Sequence, residues 1–218
     1  MTVASATSWI GCCGMSPGGR QGVLLVKRLM NSPAVLSIIA LQVVVYVAQL
    51  VKPGVSHRLS LPVGTEGLGN RPWSPLTVMF VHENLAHLAV MVLMLAAFGP
   101  LLEQCSRALD VIVVYLVAGL AGSLAVLTAF AVFEPEGTLV GASAAVLGVS
   151  AAFLAMHPSS RVFGGKATQW LAVLVAINIV FLLSLPLGSV AHLVGIAVGL
   201  AYGRWLRARV RPYVEQPT

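Results

Sequence analysis

Charged residues divide this chain into five long uncharged runs, at 29–51, 84–102, 111–133, 137–160 and 167–203. A helix rises about 1.5 Å per residue, so about 20 apolar residues cross a hydrocarbon core about 30 Å thick. Four of the runs are one such helix long. The fifth, with 37 residues, would extend roughly 55 Å as a single helix. It breaks at Leu185-Pro186-Leu187-Gly188, where a proline two residues from a glycine marks a turn. Six helices are therefore predicted, over 33–51, 79–102, 111–133, 141–156, 168–185 and 189–206. The runs are continuously apolar and rich in Ala, Leu and Gly, which excludes a β-barrel, whose strands alternate. With 9% charged and 58% hydrophobic residues, the chain cannot assemble a soluble surface, which normally needs roughly a quarter charged residues. The fold class is an all-α polytopic membrane protein.

The basic residues set the direction. With the N-terminus inside, ten of them fall on inner segments (Arg20, Lys27, Arg28, Arg107, Arg161, Lys166, Arg204, Arg207, Arg209 and Arg211) and three on outer loops (Lys52, Arg58 and Arg71). The positive-inside rule then predicts a multi-pass cell-membrane protein with both termini cytoplasmic. The expected organisation is an N-terminal tail over 1–32, a six-helix membrane domain over 33–206 and a short basic tail over 207–218. The net charge of +6 reads as topology together with contact to the lipid bilayer, not as a nucleic-acid surface. Cys12, Cys13 and Cys105 show no metal-ligand spacing, and no charged and apolar leader precedes Cys12-Cys13 as a lipoprotein signal requires. The first outer connection, about 52–78, is long and interrupted by prolines and glycines, the pattern of a functional or disordered loop. Trp73 within it is suited to the headgroup level.

Polar side chains at membrane depth are costly, so each is a functional candidate. Among them are His82, His87, Ser123, Thr128, Ser143, Ser150, Asn178, Ser184 and His192. Hydroxyls in membrane helices commonly bond back to the preceding turn, which makes the histidines the rarer signal. Gly141-Ala142-Ser143-Ala144 opens the fourth helix. Small neighbours leave the Ser143 hydroxyl accessible there, and the free N–H groups of a helix start suit a developing oxyanion. Close helix packing by small residues explains the same segment. In the sixth helix His192 lies three residues before Gly195, and Gly195 and Gly199 form a GxxxG pair that allows very close approach to another helix. If that neighbour is the fourth helix, His192 meets Ser143, and a serine with a neutral histidine in reach is a nucleophile with its base. No carboxylate in these two helices is available to orient the ring, so the pair reads as a dyad. His82 and His87 do not make a metal site, because five residues apart they stand about 140° from each other around a helix, and no Cys accompanies them.

Taken in order, His82 and His87, Phe98-Gly99 with Glu103, Gly141-Ala142-Ser143, and His192 with Gly195 and Gly199 resemble the rhomboid family of intramembrane serine proteases. The resemblance covers about 33–206, a rhomboid-like six-helix bundle. It implies Ser143 as nucleophile, His192 as general base, and His87 as an oxyanion-stabilising group acting with the Ser143 backbone N–H. It implies His82 as a structural or water-retaining group. Glu103 is implied as the carboxylate that fixes the inner loop, through Arg107 at i,i+4. No cofactor is implied.

Three positions depart from the family pattern. Met91 stands where the family has an asparagine, and the loss of one oxyanion donor costs about 3 to 4 kcal/mol. Ala144 stands where the family favours glycine, so its methyl could narrow the oxyanion hole. Leu147 replaces a frequent aromatic. The implied activity is endopeptidase cleavage of transmembrane protein substrates near their outer ends. The alternatives are a rhomboid-like pseudoprotease that binds membrane proteins without cleavage, and an unrelated six-helix transporter. The transporter reading finds no intramembrane carboxylate or Arg to couple ions.

Overall fold

The computed structural model describes residues 21–63, 68–133, 137–162, 164–183 and 185–214. Cys12, Cys13, residues 134–136 and Ser184 lie outside the described residues. The bundle consists of α1 (Pro33–Val51), α2 (Leu85–Cys105), α3 (Ala108–Phe133), α4 (Ser143–Met156), α5 (Ala167–Phe181) and α6 (Pro186–Val214). By length and composition α1, α2, α3 and α6 can cross a membrane, whereas α4 and α5 have only 14 and 15 residues. This is the rhomboid-type polytopic helical architecture that the sequence resembles.

The first helix begins at the predicted residue, with Pro33 in its first turn, where a missing N–H costs nothing. Its start is held from a distance. Both carboxylate oxygens of buried Glu103 accept hydrogen bonds, from the Ala34 and Val35 N–H groups at 3.1 Å each. A negative group at a helix N-terminus satisfies free donors and complements the dipole. The i,i+4 partnership of Glu103 with Arg107 is thereby corrected, because α2 ends at Cys105 and Arg107 lies beyond it.

The second helix begins at Leu85, six residues after the predicted start at 79. Val78–Phe80 form a separate 3-10 turn, and Asn84, in extended backbone, caps α2 by accepting the His87 N–H at 2.9 Å. His82 therefore sits ahead of the helix, and the helical angle between His82 and His87 does not apply.

α4 lies at the centre, and all fourteen of its residues are buried. At about 21 Å it is shorter than a hydrocarbon core, and its start lies within the protein. Small residues allow this enclosure. Gly195, Gly199 and Gly203 of α6 face the carbonyls of Ala144, Gly148 and Ala152 of α4, and a Cβ at any of the three would overlap its carbonyl oxygen. The Ala118 methyl of α3 occupies the space a side chain at Gly148 would need, and the Gly195 carbonyl oxygen of α6 lies 3.1 Å from the same point. The two helices thus touch backbone to backbone. The GxxxG pair read from the sequence is the first two-thirds of a three-glycine contact.

The long connection between α1 and α2 is folded over its described residues. Within it are short helices at Val55–Leu59 and Ser74–Thr77 and a strand, β1 (Leu61–Val63). Its polar side chains cross-link its own backbone. The Arg71 guanidinium donates to the His57 carbonyl, Trp73 Nε1 to the Arg58 carbonyl at 3.0 Å and Thr77 Oγ1 to the Leu59 carbonyl at 2.8 Å. β1 pairs antiparallel with β2 (Gly137–Leu139), with Leu61 opposite Leu139. This pairing anchors the chain just ahead of Ser143 to the α1–α2 connection.

Candidate active site

The approach of α4 and α6 sets the geometry. Ser143 is the first residue of α4 and precedes Ala144, whose carbonyl meets Gly195. His192 lies three residues before Gly195 and so stands opposite Ser143. His192 Nε2 is 2.5 Å from Ser143 Oγ. The pair predicted from two separate segments is one hydrogen-bonded unit. Both residues line a cavity of about 520 Å³, together with Glu83, His87, Leu139 and Leu187.

Gly141 has φ +144, a conformation that side chains disfavour, and the space its side chain would need is filled by the site. A Cβ there would lie 3.0 Å from His87 Cε1, 3.6 Å from His87 Nε2 and 3.4 Å from Ser143 Oγ. The His87 ring and the serine oxygen therefore converge on one small volume. Ser143 is also the first residue of α4, where backbone N–H groups have no partner within the helix. An imidazole N–H and a backbone N–H beside a serine oxygen form a set of donors suited to an oxyanion.

His82 is buried, and its ring lies edge-on to that of His87 with centroids 5.5 Å apart. It precedes the α2 span. Burial, and then the His87 ring, lower its pKa to about 4, so it stays neutral. Met91 is buried one turn beyond His87 and packs in the main core with Leu95 and Phe98, contributing no polar group. Ala144 packs in a smaller cluster with Val126 and Ala191. Its methyl faces Gly122 of α3, where a Cβ would approach it to 2.8 Å. Gly122 is therefore the residue that accommodates Ala144. Leu147 packs with Ala151 and Ile196.

Most other polar groups at depth serve the scaffold. Ser150 donates to the Val146 carbonyl at 3.0 Å, Thr128 to that of Ala125 at 2.9 Å and Ser123 to that of Pro75 at 3.1 Å. Asn178 differs. It projects from α5 to His192, with Oδ1 2.6 Å from Nδ1. Its isolation in a long apolar run was the available sequence signal, but nothing in the sequence shows which side of α5 it occupies. Among the described residues, no three His, Cys, Asp or Glu side chains are grouped to hold a metal ion.

Comparison with known proteins is consistent with this geometry. A family model described as Rhomboid domain matches residues 69–209. RHOMBOID-like protein 6, mitochondrial, of Arabidopsis thaliana is 30% identical over 138 residues, covering 62% of this chain and 44% of that protein. RHOMBOID-like protein 2 of the same plant is 30% identical over 140 residues, covering 63% of this chain and 43% of that protein. The chain thus spans less than half the length of the relatives it matches.

Proposed function

The chain belongs to the rhomboid family, and from that premise we propose that it is an intramembrane serine endopeptidase acting on transmembrane protein substrates. The observation that carries this reading is the Ser143 Oγ to His192 Nε2 contact of 2.5 Å in a cavity recessed at the start of α4. Ser143 acts as nucleophile. As its oxygen attacks a substrate carbonyl, its proton passes to His192 Nε2, which later returns a proton to the leaving amine. His87 and the Ser143 backbone N–H stabilise the oxyanion. The cavity admits the water that hydrolyses the acyl-enzyme. A substrate helix must unwind to present a carbonyl there, which favours segments with small, weakly helical residues.

The ten-to-three distribution of basic residues supports cytoplasmic termini and a site opening outward. Met91 adds no donor, so turnover is slow, by about 10² to 10³ relative to a site with a third donor. The same residue is what favours the second reading, a pseudoprotease that binds membrane helices without cleaving them.

A fluorophosphonate probe on detergent-purified protein separates the two. The protease reading requires labelling of wild type that Ser143→Ala abolishes and His192→Ala reduces at least a hundredfold. Folded wild type that neither labels nor cleaves a panel of transmembrane substrates would establish the pseudoprotease reading instead.

A further inference from the structure

Resting on the protease reading above, we propose that Asn178 of α5 is a positioning residue for the base, so that this protein works with a Ser143–His192–Asn178 triad. Asn178 is one of only two buried residues on α5, with Ala167 at the helix start. The rest of the helix is largely apolar and exposed or half-buried. A single carboxamide placed inward from such a helix loses water contacts and must recover them from specific partners.

Its two partners fix its orientation. Nδ2 donates to the Leu174 carbonyl at 2.7 Å, one turn back along α5. A carbonyl can only accept, so the NH2 end of the amide must face Leu174 and Oδ1 must face His192. The reversed amide would set two oxygens against each other at that distance. Oδ1 lies 2.6 Å from His192 Nδ1, and because Oδ1 also only accepts, Nδ1 carries the hydrogen. In a neutral imidazole this leaves Nε2 with its lone pair, and Nε2 is the atom 2.5 Å from Ser143 Oγ. The Leu174 carbonyl thus selects the tautomer through Asn178, and that tautomer is the one able to take the serine proton.

During acylation the Ser143 O–H bond breaks and its proton forms a bond to Nε2, while Oγ bonds to the substrate carbonyl carbon. The resulting imidazolium keeps its Nδ1–H bond to Asn178 throughout. An orienting partner on the far nitrogen performs this task in other triads, where a wrong tautomer costs orders of magnitude in rate.

The test compares wild type with Asn178→Leu, which removes the acceptor at similar volume, and Asn178→Asp, which keeps an acceptor at the same reach. The readouts are fluorophosphonate labelling rate, kcat and KM on a cleavable transmembrane substrate, and ¹⁵N NMR of the His192 ring assigned against His192→Ala. For Asn178→Leu the expected result is a fall of about 10- to 100-fold in labelling rate and kcat, with KM changed less than about threefold. Asn178→Asp keeps the acceptor for Nδ1–H but sets its second oxygen against the Leu174 carbonyl, so it should recover only part of that loss. In wild type His192 should be the Nδ1–H tautomer, and Asn178→Leu should lose that bias. Labelling and kcat of folded Asn178→Leu within twofold of wild type would overturn the inference. If wild type itself fails to label or cleave, the protease reading fails. The NMR measurement then still decides the placement of Asn178, because an Nε2–H ring in wild type would overturn it independently.

Discussion

Gly199→Ala tests the proposition that backbone contact between α4 and α6 sets the distance from base to nucleophile. The added methyl would overlap the Gly148 carbonyl oxygen, and ordinary C···O contact begins near about 3.3 Å, so the helices must separate locally by roughly 1 Å. Neither side is a flexible side chain, so the strain cannot be relieved by a rotamer change. Overpacking of this kind costs about 1 to 3 kcal/mol, which for a chain of this size corresponds to a fall in Tm of about 2 to 12 °C. Displacing a reacting group by about 1 Å costs on the order of 10²-fold in rate.

The three glycines of this contact should differ in a graded way. Gly195 is three residues from His192, or about 4.5 Å along the axis, Gly199 about 10.5 Å and Gly203 about 16.5 Å. All three alanine variants should lose comparable stability. Ser143 labelling by a fluorophosphonate should fall most for Gly195→Ala, less for Gly199→Ala and least for Gly203→Ala. Thermal unfolding followed beside labelling rate per folded molecule separates the two effects. Equal labelling across the series, or a larger loss for Gly203→Ala than for Gly195→Ala, would refute the link between helix contact and dyad geometry.

Other expectations follow from particular contacts. Glu103→Ala leaves the Ala34 and Val35 N–H groups without their acceptor and should cost about 2 to 4 kcal/mol; Glu103→Gln, which keeps one acceptor oxygen, should cost less in the same Tm measurement. Tyr115 donates to the Met79 carbonyl at 2.7 Å and accepts from Gln42 at 2.9 Å. Tyr115→Phe should therefore lower stability by about 1 to 3 kcal/mol while labelling per folded molecule stays at the wild-type level. Ala144→Gly should leave labelling within about threefold, because the methyl is accommodated by Gly122, and should cost about 1 kcal/mol for glycine in a helix. His82 is held near a pKa of about 4 in the fold against 6.5 when free. The unfolded chain therefore binds more protons between those values, and Tm should fall as the pH is lowered from 6.5 toward 4. His82→Phe should flatten that slope.

Much of the site is legible in the sequence because a membrane chain with few charges has few polar groups at depth. Ser143, His87 and His192 stand out by their rarity, and Gly195 and Gly199 by their spacing. Helix boundaries set by apolar length alone are less secure. α1 begins at Pro33 as expected, since proline marks a first turn, but α2 begins late because Asn84 caps it, and a cap competes with hydrophobicity on equal terms only when its backbone is known to be extended. Glu103 illustrates the same limit. Its sequence neighbours point to Arg107, whereas its partners are N–H groups about seventy residues away.

By itself the sequence determined the six apolar helices of the bundle, the start of the first of them and a short set of candidate residues. These follow from the cost of charge and unpaired backbone in hydrocarbon, which acts on each segment separately. The tertiary structure decided which of those residues meet. The three glycines of α6 close against the carbonyls of α4, Gly122 makes room for Ala144, and Asn178 turns inward to His192. Such contacts depend on helix rotation and separation, which are properties of pairs of segments.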